Sequence, residues 1–175
     1  MTGVFTLNHR LETDGAKEPR RRSASITLGK KMIISKLDAA RIQLDVAIDL
    51  FFEGDHVCAV TLAGAAEDIF AGLLNAAKEQ SPFEFLHNWY QNNYDEKVSK
   101  QKFSREMLNL GRNWLKHANE DANTEFDIAE RDSIMILMRA IPCYFKLTKS
   151  YTVKMDNFRK YFKDNTAEIE KTFLT

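Results

Sequence analysis

Apolar residues recur at three- and four-residue spacing through most of the chain beyond residue 34, the period of amphipathic helices rather than strands. Ser35 opens the first such segment, and Asp38 three residues on completes a capping-box-like start. Leu37, Ala40, Leu44, Ala47, Ile48 and Phe51 then form one stripe, which Gly54 ends. Asp55 can cap the next helix, so the connection is a residue or two and the helices should lie side by side and antiparallel. The second helix, at 56–78, carries one stripe of Cys58, Leu62, Ala65, Ile69, Leu73 and Ala76. Its other side is also apolar, with Val60, Ala63, Phe70, Ala71 and Leu74. A helix hydrophobic nearly all round belongs at the centre of a bundle or in a subunit interface, and Gly64 and Gly72 would let neighbours approach closely.

Ser81-Pro82-Phe83-Glu84 starts a third, short helix whose Phe83, Phe85, Leu86, Trp89 and Tyr90 should be mostly core, any exposed ones suiting a dimer interface. Asn92-Asn93-Tyr94-Asp95 reads as a loop. The segment 98–118 predicts one continuous helix. In it Phe103, Met107, Leu110, Trp114 and His117 lie within about 40° of one line, at about 100° per residue. On that helix Arg112 points nearly opposite the stripe, beside Arg105. A turn-rich loop at 119–124 follows, then a helix over 128–148 with Ile134, Leu137, Met138, Ile141 and Phe145 as its buried face. Pro142 should kink or split that helix, because its ring removes a backbone donor. Shorter helices near 153–163 and 166–173 close the chain. The pattern predicts an all-α fold, an up-and-down helical bundle of five to six helices at 35–175. Before it, 1–34 is a tail in which Ser25-Ile26-Thr27-Leu28 alternates like a short extended lead-in.

Composition narrows this little. Three prolines and seven glycines in 175 residues suit long helices, and 25 basic against 25 acidic side chains remove the broad positive field of a non-specific nucleic-acid binder. A local basic site stays open; the run Arg20-Arg21-Arg22 is read as a solvated tail. Cys58 and Cys143 sit in apolar helical patterns and read as small buried hydrophobes, without Cys-x-x-Cys spacing. The first thirty residues contain no apolar signal-peptide core and no run approaches the roughly 18 uncharged apolar residues of a membrane span, so the simplest expectation is a cytoplasmic chain. A chain of 175 residues can bury a core without a metal, and no cofactor is expected.

Candidate chemistry concentrates at Arg112, Asn113 and His117. Histidine suits proton transfer near neutral pH, and an arginine fork suits phosphate oxygens. Glu67 and Asp68 stand in the middle of the apolar second helix, where a carboxylate must reach solvent or find a partner. Glu67 reads as a structural ion pair or exposed edge, or as a neighbour orienting Arg112 or His117. His9, His56 and His87 have no partners at metal-ligand spacing, and no P-loop, Gly-x-Gly-x-x-Gly or His-Glu-x-x-His pattern occurs.

An arginine, a polar residue, three further residues and a histidine near a helix end make Arg112-Asn113-Trp114-Leu115-Lys116-His117 resemble the signature of the HEPN family. That family comprises small α-helical bundles, many of them metal-independent ribonucleases and toxins, others binding or scaffold domains. The stretch Thr61-Leu62-Ala63-Gly64-Ala65-Ala66-Glu67 is also similar to bacterial hypothetical proteins without established activity. The resemblance covers about 35–150. It implies that His117 transfers a proton, Arg112 contacts phosphate and Asn113 positions, with Glu67 as possible support. It also implies a homodimer joining two motifs in one cleft, RNA as substrate, and an antitoxin-like nucleotidyltransferase partner. Geometry qualifies this, since Arg112 and His117 stand about 140° apart on an ideal helix. The competing expectation is a non-catalytic helical interaction or dimerisation module, with His117 at the rim of the core. A di-metal carboxylate bundle is disfavoured because paired Glu-x-x-His motifs are absent.

Overall fold

A computed structural model describes residues 31–93, 97–117 and 125–172, apart from the side chains of Asn93, Met107 and Thr172. The 25–28 lead-in, the 20–22 arginine run, His9 and the 119–124 loop lie outside them. The compact unit described here starts at Ile33. Among the described residues it is all-α, with eight α-helical segments and no strand.

Helix α1, Lys36–Glu53, starts where the Ser35 hydroxyl accepts from Asp38 N–H at 3.0 Å. It stops at Gly54, whose φ of 81° is a left-handed cap that glycine adopts without steric cost. Asp55 caps α2, His56–Ala76, by accepting from Cys58 N–H at 3.0 Å. Ala40, Leu44, Ala47 and Ile48 of α1 meet Ala59, Ala63, Ala66, Phe70 and Leu74 of α2 in one core. Helix α6, Glu130–Thr148, lies on both and adds Ile134, Leu137, Ala140 and Ile141. Pro142 neither splits nor ends α6, which runs on to Thr148. The Thr152-capped α7, Val153–Asp164, seats Met155 and Phe158 in the same core. Phe158 meets Phe51 edge to face at 5.3 Å. The seven-residue α8, Thr166–Thr172, adds Ile169.

Several expectations change. Helix α2 is buried on one side only. Val60, Ala63, Phe70 and Leu74 face inward, while Leu62, Ala65, Ile69 and Leu73 are half-buried and Cys58, Gly72 and Ala76 are exposed. Cys58 is therefore no core thiol; it lies in the first turn of α2, outside the core that α1, α2 and α6 close. Of the described helices only α2 has the length and hydropathy to cross a membrane, and 44% of that apolar window is buried in its packing against α1 and α6. On α6 the inward face includes Arg139, while Met138 and Phe145 are exposed.

Helix α3, Pro82–Asn93, begins with a reciprocal capping box. Ser81 Oγ accepts from Glu84 N–H at 3.2 Å, and Glu84 Oε2 accepts from Ser81 N–H at 3.3 Å. The helix continues into residues read as loop. Its most buried side chain is His87, which hydrogen-bonds the Val98 carbonyl at 2.8 Å and touches Phe103 edge to face. Phe85 and Trp89 are exposed, so the aromatics of α3 are not mostly core.

The largest departure lies at 98–118. A three-residue α-turn, α4 (Lys100–Lys102), passes into a π-helical stretch, Phe103–Leu108, and only then into α5, Leu110–Lys116. The π geometry is explicit in Asn109 N–H donating to Ser104 O at 2.9 Å, five residues back. Asn109 then leaves the helical region at φ −126°, ψ 24°, and the α ladder restarts with Asn113 N–H on Asn109 O at 2.8 Å.

Candidate functional site

The π-turn decides which side chains of α5 face inward. On an uninterrupted α-helix Arg112 would stand about 180° from Phe103, and Leu110 and His117 about 20° and 40° from it. Counting one residue fewer across the wide turn brings Gly111 to about 20° and Arg112 to about 80°, and sends Leu110 and His117 to about 120° and 140°. The structure follows the second count. Phe103, Gly111 and Arg112 are buried, whereas Leu110 is 55% exposed and His117 is exposed. The single line through Phe103, Leu110, Trp114 and His117 is therefore broken, and the outward Arg112 is corrected to an inward one.

Arg112 enters a cluster that α2 and α6 build for it. Glu67 lies one turn beyond Gly64 on α2, and Asp68 follows at the edge. From α6, Arg139 meets Glu67 as a fork, Nε to Oε1 at 2.7 Å and Nη2 to Oε2 at 3.0 Å, the two-pronged geometry that makes arginine–carboxylate pairs strong. The same guanidinium donates from Nη2 to Asn109 Oδ1 at 2.7 Å and from Nη1 to Leu108 O at 3.4 Å, two acceptors at the break. Asn109 Nδ2 in turn donates to Ser104 Oγ at 2.9 Å. Arg112 pairs with Asp68 through Nη2 and lies 3.9 Å from Glu67 Oε2 through Nη1, while Lys116 Nζ stands 3.5 Å from Asp68. Two carboxylates thus hold three cations.

Gly64 makes room for this. A Cβ there would lie 2.7 Å from Arg112 Cδ, nearer still to Nε, and 3.0 Å from Ile136 Cδ1. The glycine admits the stem of an arginine rather than a neighbouring backbone. Arg112 Nε is buried without a hydrogen-bond partner. Beside Arg112, and bounded by Val60, Leu110, Asp132 and Ile136, is a cavity of about 90 Å³. That is room for a few waters and not for a nucleotide. Burial first and the Glu67 charge second push the nearby Cys143 thiol up to about 12, so it stays protonated near neutral pH.

The sequence-predicted residues are thereby separated. Arg112 is enclosed and its charge engaged, so a phosphate reaches it only by displacing Asp68. His117 caps the C-terminal end of α5, its N–H on Asn113 O at 3.2 Å, and its exposed ring has no hydrogen bond or ion pair among the described residues. Asn113 is half-buried. Glu67 engages Arg139 first and Arg112 at longer range; His117 is not among its partners. Arg139 is the residue that sequence reasoning passed over. Its signal was available, a lone cation on an apolar face between Ile136 and Ala140. Among the described residues no three of His, Cys, Asp and Glu come together as metal ligands would.

No protein-family model, curated protein or solved structure matches the chain.

Proposed function

We propose that this bundle is a HEPN-like RNA-cleaving or RNA-binding protein that acts as a homodimer, with His117 as its proton-transfer group. The observation that carries this reading is the placement of the motif's imidazole: exposed, with no partner among the described residues, at the end of a helix that Arg112 pins to α2. A neutral imidazole there can take the proton of a ribose 2′-hydroxyl. The oxygen so activated attacks the adjacent phosphorus, the bond to the 5′ oxygen breaks, and a protonated imidazole, that of a second copy in this reading, gives the leaving oxygen its proton. The products are a 2′,3′-cyclic phosphate and a 5′-hydroxyl, with no metal in the step. Asn113 positions the helix end that carries the imidazole, and Arg112, once it leaves Asp68, supplies the phosphate contact that first captures the RNA.

A second reading has its own support. The guanidinium of Arg112 is already matched by Asp68 and Glu67, as in a purely architectural arginine, which favours a non-catalytic interaction or dimerisation module. Incubation of the full chain with single-stranded RNA separates the two. The ribonuclease reading expects products ending in 2′,3′-cyclic phosphate, rates unaffected by chelators, and loss of about 10²-fold or more in His117→Ala without a change in unfolding midpoint. Absence of both cleavage and RNA binding by the folded wild-type chain selects the interaction module, and full activity in the variant overturns His117 as the proton-transfer group.

A further inference from the structure

The segment from Phe103 to His117 carries two contradictory instructions. Its apolar pattern is that of a continuous α-helix with Leu110 on the side of Phe103 and Arg112 outside. Its structure is the opposite, with Leu110 exposed and Arg112 buried with an unpartnered Nε. One extra residue in the π-turn makes the difference, and the contacts that hold it can be named. Arg112 is drawn in by Asp68 and Glu67. Arg139 holds the break through Leu108 O and Asn109 Oδ1. Gly111 fits where a Cβ would stand 3.1 Å from both Phe126 and Ile128. Against these stand the exposed leucine and the wide turn itself, which is rare in helices and concentrated at functional positions.

We infer that residues 103–117 exchange between two helical registers, and that the one seen here is the state in which Arg112 is locked away. Closing the π-turn into ordinary α-helix while the chain upstream stays in place turns α5 by about 100°. That rotation carries Leu110 under the side of Phe103, releases Arg112 from Asp68 to solvent, and swings His117 toward the stripe. The two motif groups are then presented alternately, and a phosphodiester that engages the freed guanidinium draws the equilibrium to the α register. The consequence for catalysis rests on the ribonuclease reading above; the exchange does not, because it is measured without RNA. Failure of RNA cleavage and failure of the exchange are therefore separate results.

The test is thiol accessibility at position 110. Leu110→Cys in a Cys58→Ser background leaves only Cys143 besides the introduced thiol, and Cys143 is 1% exposed. In the locked register the introduced thiol reacts rapidly with a small aromatic disulfide. Adding Asp68→Asn weakens the lock by the small amount a solvent-screened pair allows, and the expected result is a rate at least about 1.3-fold lower at unchanged helix content, as the α register gains population. Should Asp68→Asn fail to fold, Asn109→Leu carries the same expectation, since it removes the side chain that bridges Ser104 and Arg139 at the break. Deletion of Asn109 takes out the extra residue and keeps the present facing in an ordinary helix, so Asp68→Asn then changes nothing. An unchanged or faster rate in Asp68→Asn, or equal slowing in the deletion background, overturns the exchange.

Discussion

Glu67 and Asp68 are neighbours in sequence with opposite roles. The side chain of Glu67 is 8% exposed and meets that of Arg139, 4% exposed, as a fork, so removing it leaves a buried guanidinium uncompensated. Glu67→Ala is expected to cost about 3–5 kcal/mol. The side chain of Asp68 is 60% exposed, and its pair with Arg112 is screened by solvent. Asp68→Asn should therefore cost about 0–1 kcal/mol. Denaturant unfolding of the two variants checks the contrast; equal losses would mean that the Glu67–Arg139 fork is not the anchor. At this scale the sequence announced the problem and not its answer. A carboxylate amid alanines needs a partner wherever it points. Yet Arg139 lies far along the chain from Glu67, on another helix, and no local rule pairs them.

Helix α2 contains two glycines that look alike in sequence and differ in surroundings. Both lie inside the helix, where alanine is favoured over glycine by roughly 0.8–1 kcal/mol. At Gly72 a Cβ meets nothing within 4 Å. Gly72→Ala should therefore stabilise the bundle by about 0.5–1 kcal/mol. At Gly64 the same atom would overlap the stem of Arg112 and touch Ile136. The overpacking cost of about 1–3 kcal/mol then cancels or exceeds the helix gain. Thermal unfolding should rise for Gly72→Ala and stay level or fall for Gly64→Ala, and a stabilised Gly64→Ala would show that Arg112 is not seated there. Helix limits were legible because they depend on adjacent residues: Ser35, Asp55, Ser81 and Gly54 cap where their chemistry says. The break at Asn109 was not, since nothing in the local spacing of 98–118 signals a turn five residues wide.

In the molecule as a whole, α7 is held to the bundle by Met155 and Phe158 in the core and by Tyr161 at the edge. The Tyr161 hydroxyl donates to Glu130 Oε1 at 2.6 Å, which binds α7 to the first turn of α6. That hydrogen bond first, and burial second, push the phenol up to about 12. A raised value means that the folded state favours the protonated form. The contribution is therefore complete below the unfolded value of about 10 and disappears as pH rises through about 12. Stability measured against Tyr161→Phe should show a gap that narrows between about pH 10 and 12; a gap constant across that range would show that the hydroxyl does not bind the helices.

The one-dimensional pattern was enough for the helical class, for most helix ends and for much of the apolar face of α1, because caps and three- or four-residue spacings act through neighbours in the chain. Only the tertiary structure decided that α2 opens on one side, that Arg139 supplies the partner of Glu67, and that Arg112 turns inward while His117 turns out. The reason is one of competing energies. A helix register is settled by the sum of what its side chains gain from burial and pairing, and the Arg112 pairs, the Arg139 bonds at the break and the close fit of Gly111 together outweigh the exposure of a single leucine on α5.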